Sequence, residues 1–226
     1  MLDNRLKAVA SFVPRGARVA DIGTDHAYLA IYIQRELGAK SVIATDKNEG
    51  PLSAARHAVA EAGLSDVISL RLGDGLAPIE AGEIDTACIA GMGGELIASI
   101  LEAAPDVLAK VKRLVLQPMS DVPRLRRWLY ENGWRIADET LALADGRLYE
   151  IIAAEHGDEP IPSGAALEIG PVLMKKRPEY FERHIDEILS KKRRVLSGMA
   201  KSDAARQSAK YKAIENEIKK IEEAVS

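Results

Sequence analysis

Between Ala17 and about Glu155 the apolar residues gather into short runs rich in β-branched side chains, and these runs alternate with stretches whose apolar positions recur at helical spacing. Seven runs read as strands: ARVADI ending at Ile22, SVIATD ending at Asp46, VISLRL ending at Leu72, IDTACIA ending at Ala90, KRLVLQ ending at Gln117, WRIADETL starting at Trp134, and RLYEIIAA starting at Arg147. Alternation of this kind predicts a parallel sheet with helices on both faces. The last two runs are separated only by a turn around Ala144, Asp145 and Gly146, too little chain for a helical crossover. They are expected to pair as an antiparallel hairpin.

The pattern changes after residue 155. Residues 156–170 carry two prolines and three glycines with little periodicity and read as a linker. Beyond it, Phe181, Ile185, Ile188, Val195 and Met199 follow alternating steps of four and three when Lys192 takes the intervening place. Tyr211, Ile214, Ile218, Ile221 and Val225 continue the rhythm. With a break at Gly198 to Asp203, the expectation is an antiparallel, coiled-coil-like helical hairpin over 171–226, after an α/β domain over 1–155. A parallel sheet that ends in a hairpin resembles the seven-stranded, Rossmann-like methyltransferase architecture rather than a dehydrogenase domain.

Composition narrows the class. With 47% hydrophobic and 29% charged residues among 226, the chain fits neither wholesale disorder nor a membrane protein, and no apolar run approaches the roughly 20 residues that cross a bilayer. The single cysteine, Cys88, excludes an internal disulfide, and the N-terminus lacks a secretory pattern, so a reducing cytoplasm is expected. The net charge of -3 hides an offset: residues 171–226 hold 14 basic and 9 acidic side chains, the remainder 17 and 25. A C-terminal net of +5 against -8 elsewhere suits a tail that meets a polyanion, and equally suits an ordinary solvated helix surface.

Four loops at the carboxyl ends of consecutive strands carry the candidate chemistry. The segment from Val19 through Asp21, Gly23, Asp25 and His26 to Tyr28 leaves a strand by a glycine turn and enters a helix, which brings backbone N–H groups close to a ligand. Only Gly23 is present where a dinucleotide fold needs three glycines. Asp21 and Asp25 put negative charge where a pyrophosphate would rest, which favours a ligand with an amino group or sulfonium, as in S-adenosylmethionine. An ordinary capped strand-to-helix turn is the plain alternative. Asp46, followed by Lys47, closes the second strand 23 residues after Gly23, near the offset at which a carboxylate accepts from ribose hydroxyls. Asp74, held between Gly73 and Gly75, can face the exocyclic amine of an adenine, or be a simple turn. Gly91, Met92, Gly93 and Gly94 offer close backbone approach and, in Met92, an adaptable apolar wall.

The runs D-I-G-T-D-H-A-Y-L at 21–29, D-K-N-E-G-P-L at 46–52, R-L-G-D-G-L at 71–76, I-A-G-M-G-G-E-L-I at 89–97, L-Q-P at 116–118 and Y-E-I-I at 149–152 resemble the bacterial tRNA adenine-N1 methyltransferases that modify position 22, the TrmK family. The resemblance implies transfer of a methyl group from S-adenosylmethionine, without a metal, to N1 of an adenine in the D-arm region of tRNA. Two departures stand out: Met119 takes the place of the family's usual Asn, and Ala30 that of a common proline.

That chemistry needs an unpaired base and an in-line attack by a ring lone pair, with little proton transfer. Asp25, His26, Tyr28 and Met92 are the expected catalytic wall: Asp25 as an acceptor beside moving positive charge, His26 and Tyr28 as partners of the target base. The plain alternative makes His26 a helix cap and buries Tyr28 under the sheet. Arg5, Gln117 and the run Lys191-Lys192-Arg193-Arg194 are the expected substrate contacts, with Arg124, Arg126 and Arg127 as a second basic patch. Arg5 in a surface ion pair, and the C-terminal run as a wet face with Lys192 reaching out of the seam, are their alternatives. Trp128 and Trp134 read as packing residues. The expected partner is tRNA, not DNA or a membrane, and the expected state a monomer or weak dimer. A small-molecule methyltransferase and a non-catalytic cofactor-binding module remain as rival readings.

Overall fold

A computed structural model of the chain describes residues 2–226. In chain order the elements are α1 (Asn4–Ser11), β1 (Arg18–Ile22), α2 (Tyr28–Leu37), β2 (Ser41–Asp46), α3 (Glu49–Glu61), β3 (Ile68–Leu72), β4 (Thr86–Met92), α4 (Gly94–Glu102), α5 (Pro105–Leu108), β5 (Arg113–Pro118) and α6 (Val122–Glu131). There follow β6 (Trp134–Ala144), β7 (Arg147–His156), α7 (Gly164–Ile169), α8 (Pro171–Lys176), α9 (Phe181–Met199), α10 (Asp203–Arg206) and α11 (Ala209–Val225).

The strands form one sheet in the order β3-β2-β1-β4-β5-β7-β6. The first five pair in parallel, and β7 runs antiparallel to both β5 and β6. Strands buried on both faces have nowhere to place polar side chains, which is why VADI, VIAT and LVL are nearly unbroken apolar runs. One core on one face joins Ile22, Ile89, Leu114 and Leu116 to α4 and α6, and a second on the other joins Val19, Val42, Cys88 and Val115 to α1, α2 and α3. The two-residue turn Asp145-Gly146 has φ of 47° and 75°, the doubly left-handed geometry that matches strand twist in a tight hairpin. The sheet order reverses at β1 and β4, so a crevice opens at their carboxyl ends, where open α/β sheets take ligands. No helix among the described residues is long and apolar enough to cross a membrane.

The chain after β7 departs from expectation in two ways. Residues 156–170 are not a plain linker, since Ser163 caps α7 and buries Leu167 and Ile169 against the sheet domain. A six-residue helix is too short to display a readable period. The α9–α11 pair is antiparallel as expected, but Val195 is 43% exposed, and Leu189 and Leu196 stand on the inner face. That face packs on Leu141 and Leu148 of the β6–β7 hairpin as well as on α11, so a straight helix on a mixed surface replaces the strict two-stranded seam.

A buried charge cluster fixes the junction. Arg126, fully buried, donates through Nε to Glu139 at 2.7 Å and through Nη2 to Glu150 at 2.6 Å, and its Nη1 reaches the carbonyl oxygens of Leu167 and Glu168 at 2.9 and 3.3 Å. Glu139 in turn accepts from the backbone N–H of Val172 and Leu173 at the start of α8. Burial works against the guanidinium charge, but Glu139 and Glu150 outweigh it and hold its pKa above the usual arginine value. Arg126 is therefore a docking residue and not part of a basic surface patch. Trp134 is buried and stacks on His156 at 4.0 Å, and Trp128 packs on the core, both as expected.

Candidate active site

Two concavities meet at the carboxyl ends of the central strands. The first, of about 200 Å³, runs from Gly23 past Asp46, Lys47, Asp74 and Gly75 to Met92, and the second, of about 340 Å³, gathers Arg5, Asp21, Asp25, His26 and Tyr28. Gly23, Ala90 and Gly91 line both. A larger concavity of about 700 Å³ lies between α6, α7 and α11 and holds none of these strand-end residues, so the chemistry is placed at the smaller pair.

The first lobe is shaped by glycines. Gly23 has φ of +74°, which favours glycine, and a Cβ there would lie 2.3 Å from Cε of Met92, which would have to swing aside. At Gly75, with φ of +55°, a Cβ would press on Ile100 at 2.8 Å. Gly23 and Thr24 donate their backbone N–H groups to the carbonyl of Thr45, which fastens the β1 loop to the end of β2. Asp46 is 9% exposed and accepts from the N–H of Asn48 at 2.9 Å, so its carboxylate is fixed while it lines the cavity. Asp74 follows on the next loop. A narrow slot with one carboxylate at each of two strand ends suits a nucleoside with hydroxyl and amine donors, and α4 supplies Leu96 and Ile100 as its apolar side.

The second lobe is the larger. Asp21 lies at its base, 4% exposed, accepting from Thr24 Oγ1 at 2.7 Å. Burial lifts its carboxyl to about 6 despite that bond and one from the backbone of Ala30. On the neighbouring strand the thiol of Cys88 is pushed well up, by burial and then by the Asp21 charge, so it is no nucleophile. Asp25 and Ala27 both have left-handed φ, 48° and 55°, and this tight turn throws His26 outward. His26 and Tyr28 stack with ring centroids 5.4 Å apart, and Tyr28 is 57% exposed. The helix N-cap is Ala27, without a side-chain bond, so neither a capping His26 nor a buried Tyr28 is what the structure holds. An exposed ring pair on the rim of a negatively charged lobe suits a flat aromatic ligand that gains positive charge.

All ten expected cofactor-site residues, Asp21, Gly23, Asp25, His26, Asp46, Lys47, Asp74, Gly75, Gly91 and Met92, line one lobe or both. The expected substrate contacts are dispersed. Gln117 has no exposure and sits behind Gly91, out of a ligand's reach. Arg5 lines the second lobe but turns its guanidinium to Gln117 at 2.7 Å and Asp3 at 3.8 Å. Lys192 pairs with Glu168 and Glu217, which hold its pKa above the lysine value against the opposing effect of burial, and Arg193 pairs with Glu222. Lys191 and Arg194 have no ion-pair partner among the described residues and stay exposed. Thr24, Asn48, Leu96 and Ile100 also line the crevice. Thr24, Asn48 and Leu96 fall inside the motif runs without having been given a role, and Ile100, outside them, is signalled only by its i, i+4 spacing from Leu96. No group of three or more His, Cys, Asp and Glu that suits a metal ion occurs among the described residues.

A seven-stranded sheet in this order, with a glycine-walled slot at the strand ends and acidic loops in place of a phosphate-binding glycine run, defines a Rossmann-like methyltransferase. The chain belongs to the TrmK family, the tRNA (adenine(22)-N(1))-methyltransferases, whose family model matches residues 19–223. A Bacillus subtilis (strain 168) protein named tRNA (adenine(22)-N(1))-methyltransferase is 36% identical over 230 residues, covering 99% of this chain and 97% of its own. The crystal structure of B. subtilis TrmK superposes with a TM-score of 0.90 at 36% identity, covering 100% of this chain and 99% of that one. TrmK of M. capricolum in complex with S-adenosyl-homocysteine superposes at 0.84 and 27% identity, covering 100% and 98%.

Proposed function

We propose that this chain transfers a methyl group from S-adenosylmethionine to N1 of adenine 22 of tRNA. Family membership over most of the length supports the reaction, and the observation that carries it at the level of residues is the two-lobed crevice: a glycine-walled slot continuous, at Gly23 and Gly91, with a larger acidic lobe rimmed by His26 and Tyr28. When bound, S-adenosylmethionine supplies an electrophilic methyl group on a sulfonium.

Asp46 is suited to accept from the ribose hydroxyls, Asp74 from the adenine amine and Asp21 from the amino group of the methionine portion. Met92 walls the junction of the lobes. The extruded adenine is held against Tyr28 and His26, with its Watson–Crick edge toward Gly91. With the cofactor bound, the N1 lone pair would form the new N–C bond as the S–C bond broke, and positive charge would pass from sulfur to the base. No proton need move, so the residues contribute position and negative potential, Asp25 and Asp21 on the wall beside the new cation. Of the run 191–194, Lys191 and Arg194 are the cations left for RNA phosphates, Lys192 and Arg193 being engaged internally. The enzyme works on tRNA in the cytoplasm, as a monomer or weak dimer.

Incubation with labelled S-adenosylmethionine and unmodified bacterial tRNA, followed by nucleoside mapping, is expected to give N1-methyladenosine at position 22. Label at another nucleoside, or none in any RNA while cofactor binding is intact, refutes the proposal.

A further inference from the structure

We infer that Arg5 is a positioning residue of the methyl-transfer site, acting through Gln117 on the backbone of Gly91, an inference that rests on the function proposed for this crevice. The β4–β5 ladder pairs Ala90 with Gln117 and Met92 with Pro118 and skips Gly91, which bulges from the strand with φ of +80°. A bulged residue has no ladder partner, and bulges beside active sites re-aim the backbone. Here the Gly91 N–H donates instead to the side-chain oxygen of Gln117 at 3.1 Å.

The same oxygen accepts from Nη1 of Arg5 at 2.7 Å, and the amide Nε2 donates to the carbonyl of Pro118 at 2.9 Å. Both neighbours of Oε1 are pure donors, so the amide has one orientation. In this fully buried position a carboxamide oxygen shared by two donors is rigid, and the charged donor is the stronger of the two. Arg5 comes from α1, more than a hundred residues away in sequence, and is itself placed by Asp3 and by the face of Tyr149 at 5.7 Å. A Cβ at Gly91 would sit 3.5 Å from Arg5 Nη1, so the guanidinium also backs the lip directly. Gly91 belongs to both lobes, and small displacements at such a junction cost a large share of rate. The N-terminal helix is thus a strut for the reacting centre, with Arg5 turned inward rather than toward a phosphate.

The test compares wild type with Arg5→Met, Arg5→Lys, Gln117→Glu, Gln117→Leu and the double variant Arg5→Met/Gln117→Leu. Arg5→Met is expected to lower kcat about tenfold to a hundredfold with KM for tRNA changed less than about twofold, and to speed hydrogen exchange at the Gly91 amide about tenfold. Gln117→Glu keeps an acceptor for both donors but sets a carboxylate oxygen against the Pro118 carbonyl, so it loses rate as Gln117→Leu does, and the double variant is no slower than Gln117→Leu alone. Should Gln117→Leu not fold, Arg5→Lys and Arg5→Met, on a partly exposed side chain, carry the comparison. A raised tRNA KM with kcat intact, multiplicative rate losses, or an unchanged Gly91 exchange rate overturns the inference. The exchange measurement needs no turnover, so wild type that fails to methylate tRNA sinks the proposed function while the strut is still decided.

Discussion

Asp21 and Asp46 end adjacent parallel strands, yet their surroundings differ: Asp21 is the more buried and its carboxyl is lifted by desolvation from the ordinary 3.8 to about 6. The folded state thus binds that proton more tightly than the unfolded chain does. Stability from this group is present below about pH 4 and is lost as pH rises through about 6, so at pH 7.5 the ionised Asp21 costs on the order of 3 kcal/mol, at about 1.4 kcal/mol for each tenfold in proton affinity. Asp21→Asn keeps an acceptor for Thr24 and is expected to raise stability at pH 7.5 by up to that amount, with the gain vanishing near pH 4, while cofactor affinity falls at least tenfold. Thermal melts across that range and calorimetric titration check both halves. A variant no more stable than wild type at pH 7.5 contradicts the burial argument, and undiminished cofactor affinity removes Asp21 from the site. The ten expected cofactor-site residues were legible in the sequence because each sits within a few positions of a strand end. Gln117 was legible as a motif and misread as a contact, because burial behind Gly91 depends on a bulge in the neighbouring strand that no local pattern announces.

At the scale of elements, β6, β7 and α6 carry the C-terminal helices through one charge cluster. Arg126 holds Glu139 on β6, Glu150 on β7 and the last carbonyls of α7, while Glu139 caps α8. Removing the cation leaves two carboxylates, one of them fully buried, without a counter-charge, which typically costs about 3–5 kcal/mol. Arg126→Met is expected to lower the melting temperature and to make residues 157–226 the first segment cut by limited proteolysis, with cofactor affinity held within about threefold because the strand-end loops do not touch the cluster. Cleavage that begins in the strand-end loops instead contradicts this division of labour. Sequence spacing shows why the cluster was invisible: Arg126 is 24 residues from Glu150 and 41 from Leu167, distances over which neither helix nor strand periodicity carries information. The seam of α9 was half legible for a related reason. Steps of three and four admit Val195 or Leu196, and only the second surface, the β6–β7 hairpin, selects Leu196.

Across the whole molecule, charge is divided between an acidic catalytic domain and a basic C-terminal segment, but the division by count overstates what is available, since Lys192 and Arg193 are spent on Glu217, Glu168 and Glu222. Lys191→Glu together with Arg194→Glu is expected to weaken tRNA binding and to lower the slope of log affinity against log salt by roughly 0.7–0.9 for each phosphate no longer neutralised, leaving cofactor affinity unchanged. Filter binding at several salt concentrations measures it, and an unaltered slope takes Lys191 and Arg194 out of RNA contact. By itself the sequence determined the parallel sheet with its terminal hairpin, the four glycine-and-carboxylate loops at the strand ends, and two C-terminal helices, because periodicity and turn chemistry are local and a strand end fixes where its loop must open. Only the tertiary structure decided which cations remain free, that residues 164–169 are a docked helix, and that Arg5 and Gln117 brace Gly91. Those outcomes are set by contacts between chain segments far apart in sequence, where a side chain's partner depends on packing that no single segment encodes.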